Sequence, residues 1–174
     1  GTIGGAIRMN SGCYGEDISK ILVSVQAMNF EGKIKVINRS DINFYYRGSN
    51  LDEKLIFISA TFKGLNVSKT KIKKKMEELI QKKKETQPSK IKTCGSTFKN
   101  PENEKAWKLI KNSGCAGFSV GDAQISEKHC NFFVNRGSAK SEDLENLIEK
   151  VKNKVLEKTG IKLELELQII GKKL

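Results

Sequence analysis

The chain has 174 residues, of which 37% are hydrophobic, and a formal net charge of +12 at pH 7. This length and apolar content suffice for one domain or two small ones with a buried core, so full disorder is excluded. No stretch approaches the roughly 20 consecutive apolar residues that span a bilayer, and we therefore predict no membrane span.

The cysteine pattern argues against a metal centre. Cys13, Cys94, Cys115 and Cys130 show neither a CxxC motif nor the spacing of zinc ligands, and His129 is the only histidine. Scattered, unpaired cysteines fit a reducing compartment, where a buried thiol acts as a small apolar side chain. We therefore expect a cytoplasmic protein without a bound metal.

The first third of the chain predicts a glycine turn followed by a sheet. The opening GTIGGAIRMNSGCYG is rich in glycine and is interpreted as a turn. Apolar residues at or near alternate positions then predict strands at 20–30, 32–38 and 55–64, with Gly32 in the turn between the first two. Together these segments suggest an antiparallel or mixed sheet.

A helix and a boundary follow the sheet. Apolar residues recur at helical spacing in the lysine-rich stretch 69–85, at Ile72, Met76, Leu79 and Ile80. Pro88 prevents the helix from continuing, and both prolines of the chain fall in the segment 86–101. We therefore predict a first domain over 1–67, a linking helix and boundary over 68–89, and a second domain over 90–174.

The second domain is predicted to mix helices and strands. A short helix over 102–114 should end at Gly114, and 128–137 should be a strand. The segment 141–160 is predicted to be a helix. Ser141 is its predicted N-cap residue, acidic residues lie in its first turn, and Gly160 follows its last turn.

The end of the chain alternates apolar and polar residues. This alternation over 161–171 predicts a strand with Glu164, Glu166 and Gln168 on one face. On residue pattern alone, Glu166 on that face is expected to contact water.

The lysine-rich stretch 69–85 has two interpretations. A basic patch attracts polyanions, so a nucleic-acid surface is one of them. The other is an ordinary solvated helix face. Because the stretch contains neither aromatic residues nor arginine, the solvated face is favoured and no nucleic-acid partner is expected.

Three short stretches have residues suited to binding anions. GTIGGA exposes backbone N–H groups to a pyrophosphate, although it lacks both the GxGxxG motif and a P-loop lysine, and a plain turn is an equal alternative. YYRGS places Arg47 beside two tyrosines, which suits a carboxylate or phosphate, or else a structural ion pair. GSTFKNP presents a serine before a helix start, or simply a turn in which Asn100 is the N-cap.

The combination of motifs is more specific than any single one. In this order, GTIGGAIRMNSGCYG, YYRGS, QPSKIKTCGSTFKNP, AGFSVGDAQISEKHCNFFVN and LELELQIIG resemble the family of UDP-N-acetylenolpyruvoylglucosamine reductases over nearly the whole chain. The resemblance implies an α+β fold. It consists of a truncated FAD-binding subdomain of the vanillyl-alcohol-oxidase (PCMH) type, followed by the α+β C-terminal substrate-binding domain of this family.

The resemblance also implies a reaction. In this family NADPH reduces FAD, and the reduced flavin delivers hydride to UDP-N-acetylglucosamine enolpyruvate during peptidoglycan synthesis. The implied roles are Arg47 at the substrate carboxylate, Glu166 as the acid beside it, and Ser96 as the proton donor.

Further site residues are carried over from the family motifs. The implied contacts to the flavin pyrophosphate are Gly1, Thr2, Gly4, Gly5, Ala6, Asn10 and Gly12. The implied substrate-binding residues are Tyr46, Asn100, His129 and Asn131.

Full-length members of the family carry an N-terminal flavin-binding part before this glycine-rich stretch. We therefore expect the 174 residues to be a fragment of a longer reductase, with activity belonging to the parent protein. A noncatalytic protein that binds sugar nucleotides is the alternative function, and a basic nucleic-acid-binding module is a more distant one.

Overall fold

The computed structural model describes residues 1–171. It divides into two compact units, Gly1–Ser68 and a second unit that begins at Lys69. Both contain helices and antiparallel strands, which confirms the mixed α/β character predicted from the sequence. Each unit is described in turn.

The first unit opens with a helix, so the predicted glycine turn is wrong. Helix α1 spans Ile3–Arg8, and the Thr2 hydroxyl oxygen accepts the N–H of Gly5 at 3.1 Å. Ile7 is fully buried in the core of this unit. The N-cap and the burial of Ile7 together outweigh the low helix propensity of the glycines.

The strands of the first unit form a sheet and two short hairpins. In chain order they are β1 (Gly12–Cys13), β2 (Glu16–Asp17), β3 (Leu22–Met28), β4 (Ile34–Asn38), β5 (Phe44–Tyr45), β6 (Gly48–Ser49) and β7 (Ile56–Phe62). Strands β4, β3 and β7 form an antiparallel sheet in that order, which confirms the predicted strands. Short 3₁₀ helices lie at Ile18–Lys20 and Arg39–Asp41.

One face of this sheet lies over the core of the first unit. Val25 of β3 is fully buried and belongs to one apolar cluster with Ile7, Leu22 and Ile42. Gly32 in the turn before β4 has φ of +81°, the left-handed conformation that favours glycine.

The second unit begins with a long helix. Helix α2 spans Lys69–Thr86, which confirms the helix predicted from the spacing of apolar residues. None of its residues is buried. The apolar side of α2 is therefore exposed.

The remaining elements of the second unit surround a four-stranded sheet. They are β8 (Lys92–Ser96), α3 (Ala106–Asn112), β9 (Ser119–Val120), β10 (Ala123–Ile125), β11 (Phe132–Asn135) and α4 (Ser141–Thr159). The sheet is antiparallel with the order β8, β11, β10, β9. Strand β11 falls within the predicted strand 128–137.

The helices predicted over 102–114 and 141–160 need correction at their starts. Helix α3 begins at Ala106 rather than at residue 102, because the residues after Pro101 form turns. Helix α4 has Lys140 rather than Ser141 as its N-cap residue, and the Asp143 carboxylate accepts the Lys140 N–H at 2.9 Å. The predicted end of α4 is confirmed, since Gly160 has φ of +70°.

The predicted strand over 161–171 is largely absent. Its pairing within the described residues is one antiparallel bridge, between Phe98 and Leu165. The alternation still separates buried from exposed side chains, because Leu163 is buried in the core while Glu164 is exposed. An alternating pattern reports which side chains are buried, but a strand also needs a neighbour along its length.

Phe98 lies at the centre of the core of the second unit. It is fully buried, and its ring meets that of Phe133 edge to face with centroids 5.9 Å apart. Residues of α3, β10 and α4 complete this cluster. Phe98 directly follows Ser96 and Thr97, so this short stretch of the chain is anchored in the core.

Two glycines near the start of the chain should respond oppositely to alanine. A Cβ on Gly4 would make ordinary contacts with Phe57 at 3.5 Å, and alanine favours the helix, so Gly4→Ala should stabilise by up to about 1 kcal/mol. A Cβ on Gly12 would lie 2.3 Å from the Glu16 carbonyl oxygen, so Gly12→Ala should destabilise by about 1–3 kcal/mol. Chemical denaturation followed by circular dichroism measures the free energy of unfolding of both variants. Effects of the same sign would contradict the different surroundings described for Gly4 and Gly12.

Candidate functional site

Ser96 stands at the end of β8, where the chain leaves the sheet. It pairs with Phe132 of β11 and is half-buried. Gly95 before it has φ of +86°, which bends the strand at this point. Ser96 is therefore held at the sheet while remaining partly accessible.

The side chain of Asn131 holds the segment that follows Ser96. Its Oδ1 accepts the Phe98 N–H at 2.9 Å, and its Nδ2 donates to the Phe98 carbonyl at 2.8 Å. The Asn131 carbonyl also accepts the Thr97 N–H at 2.8 Å. Asn131 is 3% exposed, so both ends of its amide are committed to the backbone in the interior.

The segment near Leu165 pairs with the same stretch. The Glu166 N–H donates to the Thr97 carbonyl at 2.9 Å, and the Lys99 N–H donates to the Glu164 carbonyl at 2.8 Å. This pairing places Glu166 beside Thr97, the neighbour of Ser96. The Glu166 side chain is half-buried rather than fully exposed to water.

Asn100 follows this paired stretch, four residues after Ser96 in the chain. Its Oδ1 accepts the N–H of Ala106, the first residue of α3, at 3.1 Å. The prediction that Asn100 is the N-cap residue and Pro101 the first helical residue is wrong, because Lys105 is the N-cap residue and α3 begins at Ala106. The contact of Asn100 with substrate stays a prediction.

His129 precedes β11 and lies against aromatic rings. Its ring meets that of Phe132 edge to face at a centroid distance of 4.7 Å, and the Trp107 ring lies 6.2 Å away. Within the described part of the chain, its buried Nδ1 has no hydrogen-bond partner. Burial lowers the pKa of His129 from its ordinary value of 6.5, because the protonated ring is less well solvated.

Arg47 lies in the first unit, at the tip of the hairpin formed by β5 and β6. Its φ of +58° is unusual for a residue with a side chain, and such strain is concentrated at functional sites. Its guanidinium carbon lies 4.9 Å from the centre of the Tyr46 ring. This stacking on the Tyr46 ring restricts the Arg47 side chain.

Asn10 ties this hairpin to the loop after α1. Its Nδ2 donates to the Tyr45 carbonyl at 3.2 Å, and its Oδ1 accepts the Ser19 N–H at 3.3 Å. Asn10 is 7% exposed, and its φ of +43° is left-handed. Asn10, predicted at the flavin, therefore also has a structural role near Arg47.

The predicted site residues thus fall into two groups. Arg47, Tyr46 and the residues predicted at the flavin belong to the first unit, whereas Ser96, Asn100, His129, Asn131 and Glu166 belong to the second. The supporting backbone groups of Thr97 and Phe98 were missed from the sequence. Side-chain patterns give no signal for a backbone hydrogen bond.

Comparison with known proteins shows which chains this one is similar to. Residues 87–170 match the family model described as the C-terminal domain of UDP-N-acetylenolpyruvoylglucosamine reductase. The reductase of Pelagibacter ubique is 50% identical over 173 residues, which are 98% of this chain and 57% of that protein. The reductase of Anaplasma marginale is 46% identical over 171 residues, with the same coverage of 98% and 57%.

A solved structure gives the same result. The crystal structure of the reductase (MurB) from Thermus caldophilus superposes with a TM-score of 0.84 and 34% identity, covering 95% of this chain and 59% of that one. The chain thus spans a little more than half the length of these relatives.

The second unit therefore has the fold of a reductase C-terminal domain. Over 98% of its length the chain is similar to UDP-N-acetylenolpyruvoylglucosamine reductases, which confirms the resemblance of its motifs. Across the described residues, no helix has both the length and the apolar character needed to cross a bilayer.

Replacing Asn131 with aspartate should destabilise the second unit. A carboxylate keeps an acceptor for the Phe98 N–H but places a second oxygen against the Phe98 carbonyl, at a cost of about 2–3 kcal/mol. Protonation restores a donor, so the difference from wild type should shrink as the pH falls. Urea denaturation at several pH values measures this difference.

A matched control for this variant is Asn135→Asp. Asn135 Oδ1 accepts the N–H groups of Gly137 and Ala139 at 2.8 and 3.1 Å, which a carboxylate also does. Its Nδ2 donates to the Ala139 carbonyl over a long 3.5 Å in a partly buried position, so the loss of this bond costs less than the loss of the buried 2.8 Å bond of Asn131. A loss below about 1 kcal/mol is expected there. Equal losses in the two variants would contradict the role given to Asn131.

His129 should titrate below 6.5. Its folded-state pKa is lower than its unfolded value of 6.5. Its contribution to the free energy of unfolding is therefore intact above pH 6.5, and the protein loses stability as the pH falls below that value. As the only histidine, it gives one imidazole signal in an NMR titration. In His129→Gln this part of the pH dependence should vanish, and a measured pKa at or above 6.5 would rule the assignment out.

Proposed function

We propose that the protein of which this chain is part reduces UDP-N-acetylglucosamine enolpyruvate to UDP-N-acetylmuramate, with FAD as cofactor and NADPH as reductant. The single observation that carries this proposal is the pairing of the segment after Ser96 with the segment around Leu165. This pairing brings the backbone of Glu166 next to that of Thr97, the neighbour of Ser96. Ser96 and Glu166 must be close in this way if both act on one substrate. The reductase names of the relatives supply the reaction.

The chemistry explains why these residue types are needed. An enol ether accepts hydride poorly unless the carboxylate beside its double bond is polarised, and we assign this to Arg47. The carbon that bears the carboxylate then needs a proton, and we assign its donation to the Ser96 hydroxyl. We assign Glu166 as the acid at the substrate carboxylate. A serine can serve as the acid because the enolate is strongly basic and a closed site excludes water.

The predicted flavin contacts are compatible with a phosphate. The N–H groups of Ile3 and Gly4 precede the first intrahelical bond, which joins the Ala6 N–H to the Thr2 carbonyl at 3.0 Å. No side chain obstructs them at Gly4. These donors would hold the pyrophosphate of FAD, and Gly1, Thr2, Gly5, Ala6, Asn10 and Gly12 complete the proposed contact set. When bound, FAD accepts hydride from NADPH and passes it to the substrate.

The proposed substrate contacts lie in both units. Tyr46 stacks with Arg47 in the first, whereas Asn100 and His129 are proposed to bind the substrate from the second. Asn131 is better assigned to holding Phe98, because its amide is buried and engaged. We also propose a cytoplasmic location, which the four free cysteines support.

Removing the Ser96 hydroxyl separates the two half-reactions. In flavin-loaded protein, Ser96→Ala should leave reduction of the flavin by NADPH unchanged and abolish its reoxidation by the enolpyruvyl substrate. Anaerobic stopped-flow measurement of flavin absorbance follows both steps. Ser89→Ala is the control, because Ser89 is exposed in the segment before β8. Normal reoxidation in Ser96→Ala would refute the assignment.

The alternative function is noncatalytic binding of a sugar nucleotide. The chain covers 57% of its Pelagibacter relative, so substrate binding and turnover are separable questions. Calorimetry with UDP-N-acetylglucosamine enolpyruvate measures binding alone. Binding that is unaccompanied by flavin reoxidation in the wild-type chain would favour this alternative.

A further inference from the structure

The loop that presents Arg47 is very short. It consists of Tyr46 and Arg47, between β5 and β6. The residues on either side of it, Tyr45 and Gly48, are paired in the hairpin. Arg47 has φ of +58°, a backbone conformation that residues other than glycine and asparagine rarely adopt. Contacts within the hairpin must therefore hold Arg47 in this conformation.

The residue after Arg47 makes this constraint harder to meet. Gly48 has no side chain, and glycine has more backbone freedom than any other residue. A loop that is followed by an unrestrained glycine relaxes easily, which would let Arg47 return to a negative φ. The hairpin therefore needs a contact that restricts Gly48 from another residue.

The ring of Tyr45 supplies that contact. It lies across the hairpin against Gly48, so close that a Cβ on Gly48 would stand 2.6 Å from Tyr45 Cζ and 2.9 Å from the Tyr45 hydroxyl oxygen. The Tyr45 hydroxyl also donates to the Ser49 carbonyl at 3.1 Å. Gly48 is buried, although Tyr45 itself is 60% exposed. An aromatic ring that covers a glycine of the neighbouring strand is a known means of fixing a strand pair.

The hairpin has further contacts at its base and on β5. Asn50 Oδ1 accepts the Asn43 N–H at 2.9 Å, and the Asn50 N–H donates to the Asn43 carbonyl at 3.1 Å. Asn10 donates to the Tyr45 carbonyl on β5. These bonds fix the base of the hairpin and the strand before Arg47, whereas the Tyr45 ring acts on the strand after it.

We propose that Tyr45 is a positioning residue for Arg47. Its ring restricts Gly48, and this restriction keeps Arg47 at a positive φ, with its guanidinium stacked on Tyr46 in the pose that binds the substrate carboxylate. The proposal rests on the proposed function, because it takes Arg47 as the residue that meets that carboxylate. Tyr45 acts through Arg47 and makes no contact with the substrate itself.

A positioning role of this kind acts through a population of conformations. Without the Tyr45 ring, Arg47 exchanges between the binding conformation and relaxed ones, and the apparent affinity for substrate falls with the fraction that stays competent. Strain of the usual size for such a residue leaves about one molecule in ten competent. Saturating substrate draws the population back, so the limiting rate of flavin reoxidation stays near that of wild type.

The first test compares Tyr45→Ala with wild type in the flavin-loaded reductase of which this chain is part. Anaerobic stopped-flow titration with UDP-N-acetylglucosamine enolpyruvate should show about tenfold weaker substrate binding in Tyr45→Ala. The limiting rate of flavin reoxidation and the rate of flavin reduction by NADPH should both be unchanged. Arg47→Ala should differ, because loss of the guanidinium lowers the limiting rate as well.

Two control variants separate the ring of Tyr45 from other effects. Tyr45→Phe keeps the ring against Gly48 and loses only the hydroxyl, so substrate binding should stay within about threefold of wild type, as for the loss of a weak exposed hydrogen bond. Phe30→Ala removes an aromatic ring that is 74% exposed, between β3 and β4 of the same unit. It should leave both substrate binding and the limiting rate unchanged.

Backbone NMR of the full chain tests the proposal without substrate or flavin. A positive φ brings the amide proton of a residue close to its own Hα, and cross-relaxation measures this distance. Arg47 should show the short distance in wild type and in Tyr45→Phe. In Tyr45→Ala the average distance should lengthen, because Arg47 then populates negative φ. Unchanged signals from β3 and β7 check that the variants keep their fold.

Several outcomes would overturn the proposal. One is that Tyr45→Ala keeps either the wild-type substrate affinity or the positive φ of Arg47. Another is that Tyr45→Phe or Phe30→Ala weakens substrate binding as much as Tyr45→Ala does. Failure of the proposed function is a different result, since the substrate would then not reoxidise the flavin of the wild-type reductase. In that event the NMR comparison still decides whether Tyr45 holds Arg47.

Discussion

The second unit depends on the pair of hydrogen bonds between the Asn131 side chain and the backbone of Phe98. A carboxamide offers one donor and one acceptor at the spacing that a neighbouring strand would offer, so it can replace a strand at the point where pairing ends. Since Phe98 is also anchored against Phe133, the short segment from Ser96 to Phe98 has little freedom. A hydroxyl that must donate a proton at one defined atom needs such restriction.

The first unit uses the same device at a different place. Asn10 is buried, and its carboxamide joins the Tyr45 carbonyl to the Ser19 N–H. Tyr45 lies two residues before Arg47, just as Phe98 lies two residues after Ser96. In both units a buried asparagine therefore holds the backbone beside a proposed catalytic side chain, and the strained φ of Arg47 is tolerated because that backbone is fixed.

Sequence periodicity predicted the helices and strands whose own residues carry the apolar pattern. Strands β3, β4 and β7 were predicted from apolar residues at or near alternate positions, and Val25, Ile37 and Phe57 from these strands belong to one apolar cluster. The end of α4 was predicted because Gly160 stops it. Helix α1 was missed, since two glycines obscure a helix that a single buried isoleucine and a threonine cap stabilise. Ser96 and Glu166 were singled out by motif, but the role of Asn131 was not, because its partners are backbone groups distant in the chain.

Helix α2 shows how far an amphipathic pattern can be interpreted. The pattern states that one side of the helix avoids water, and this is equally true of a helix packed on a core and of one that binds a surface. No residue of α2 is buried in the described structure. The apolar spacing therefore predicts that the segment is a helix, but it does not predict which surface covers the apolar side.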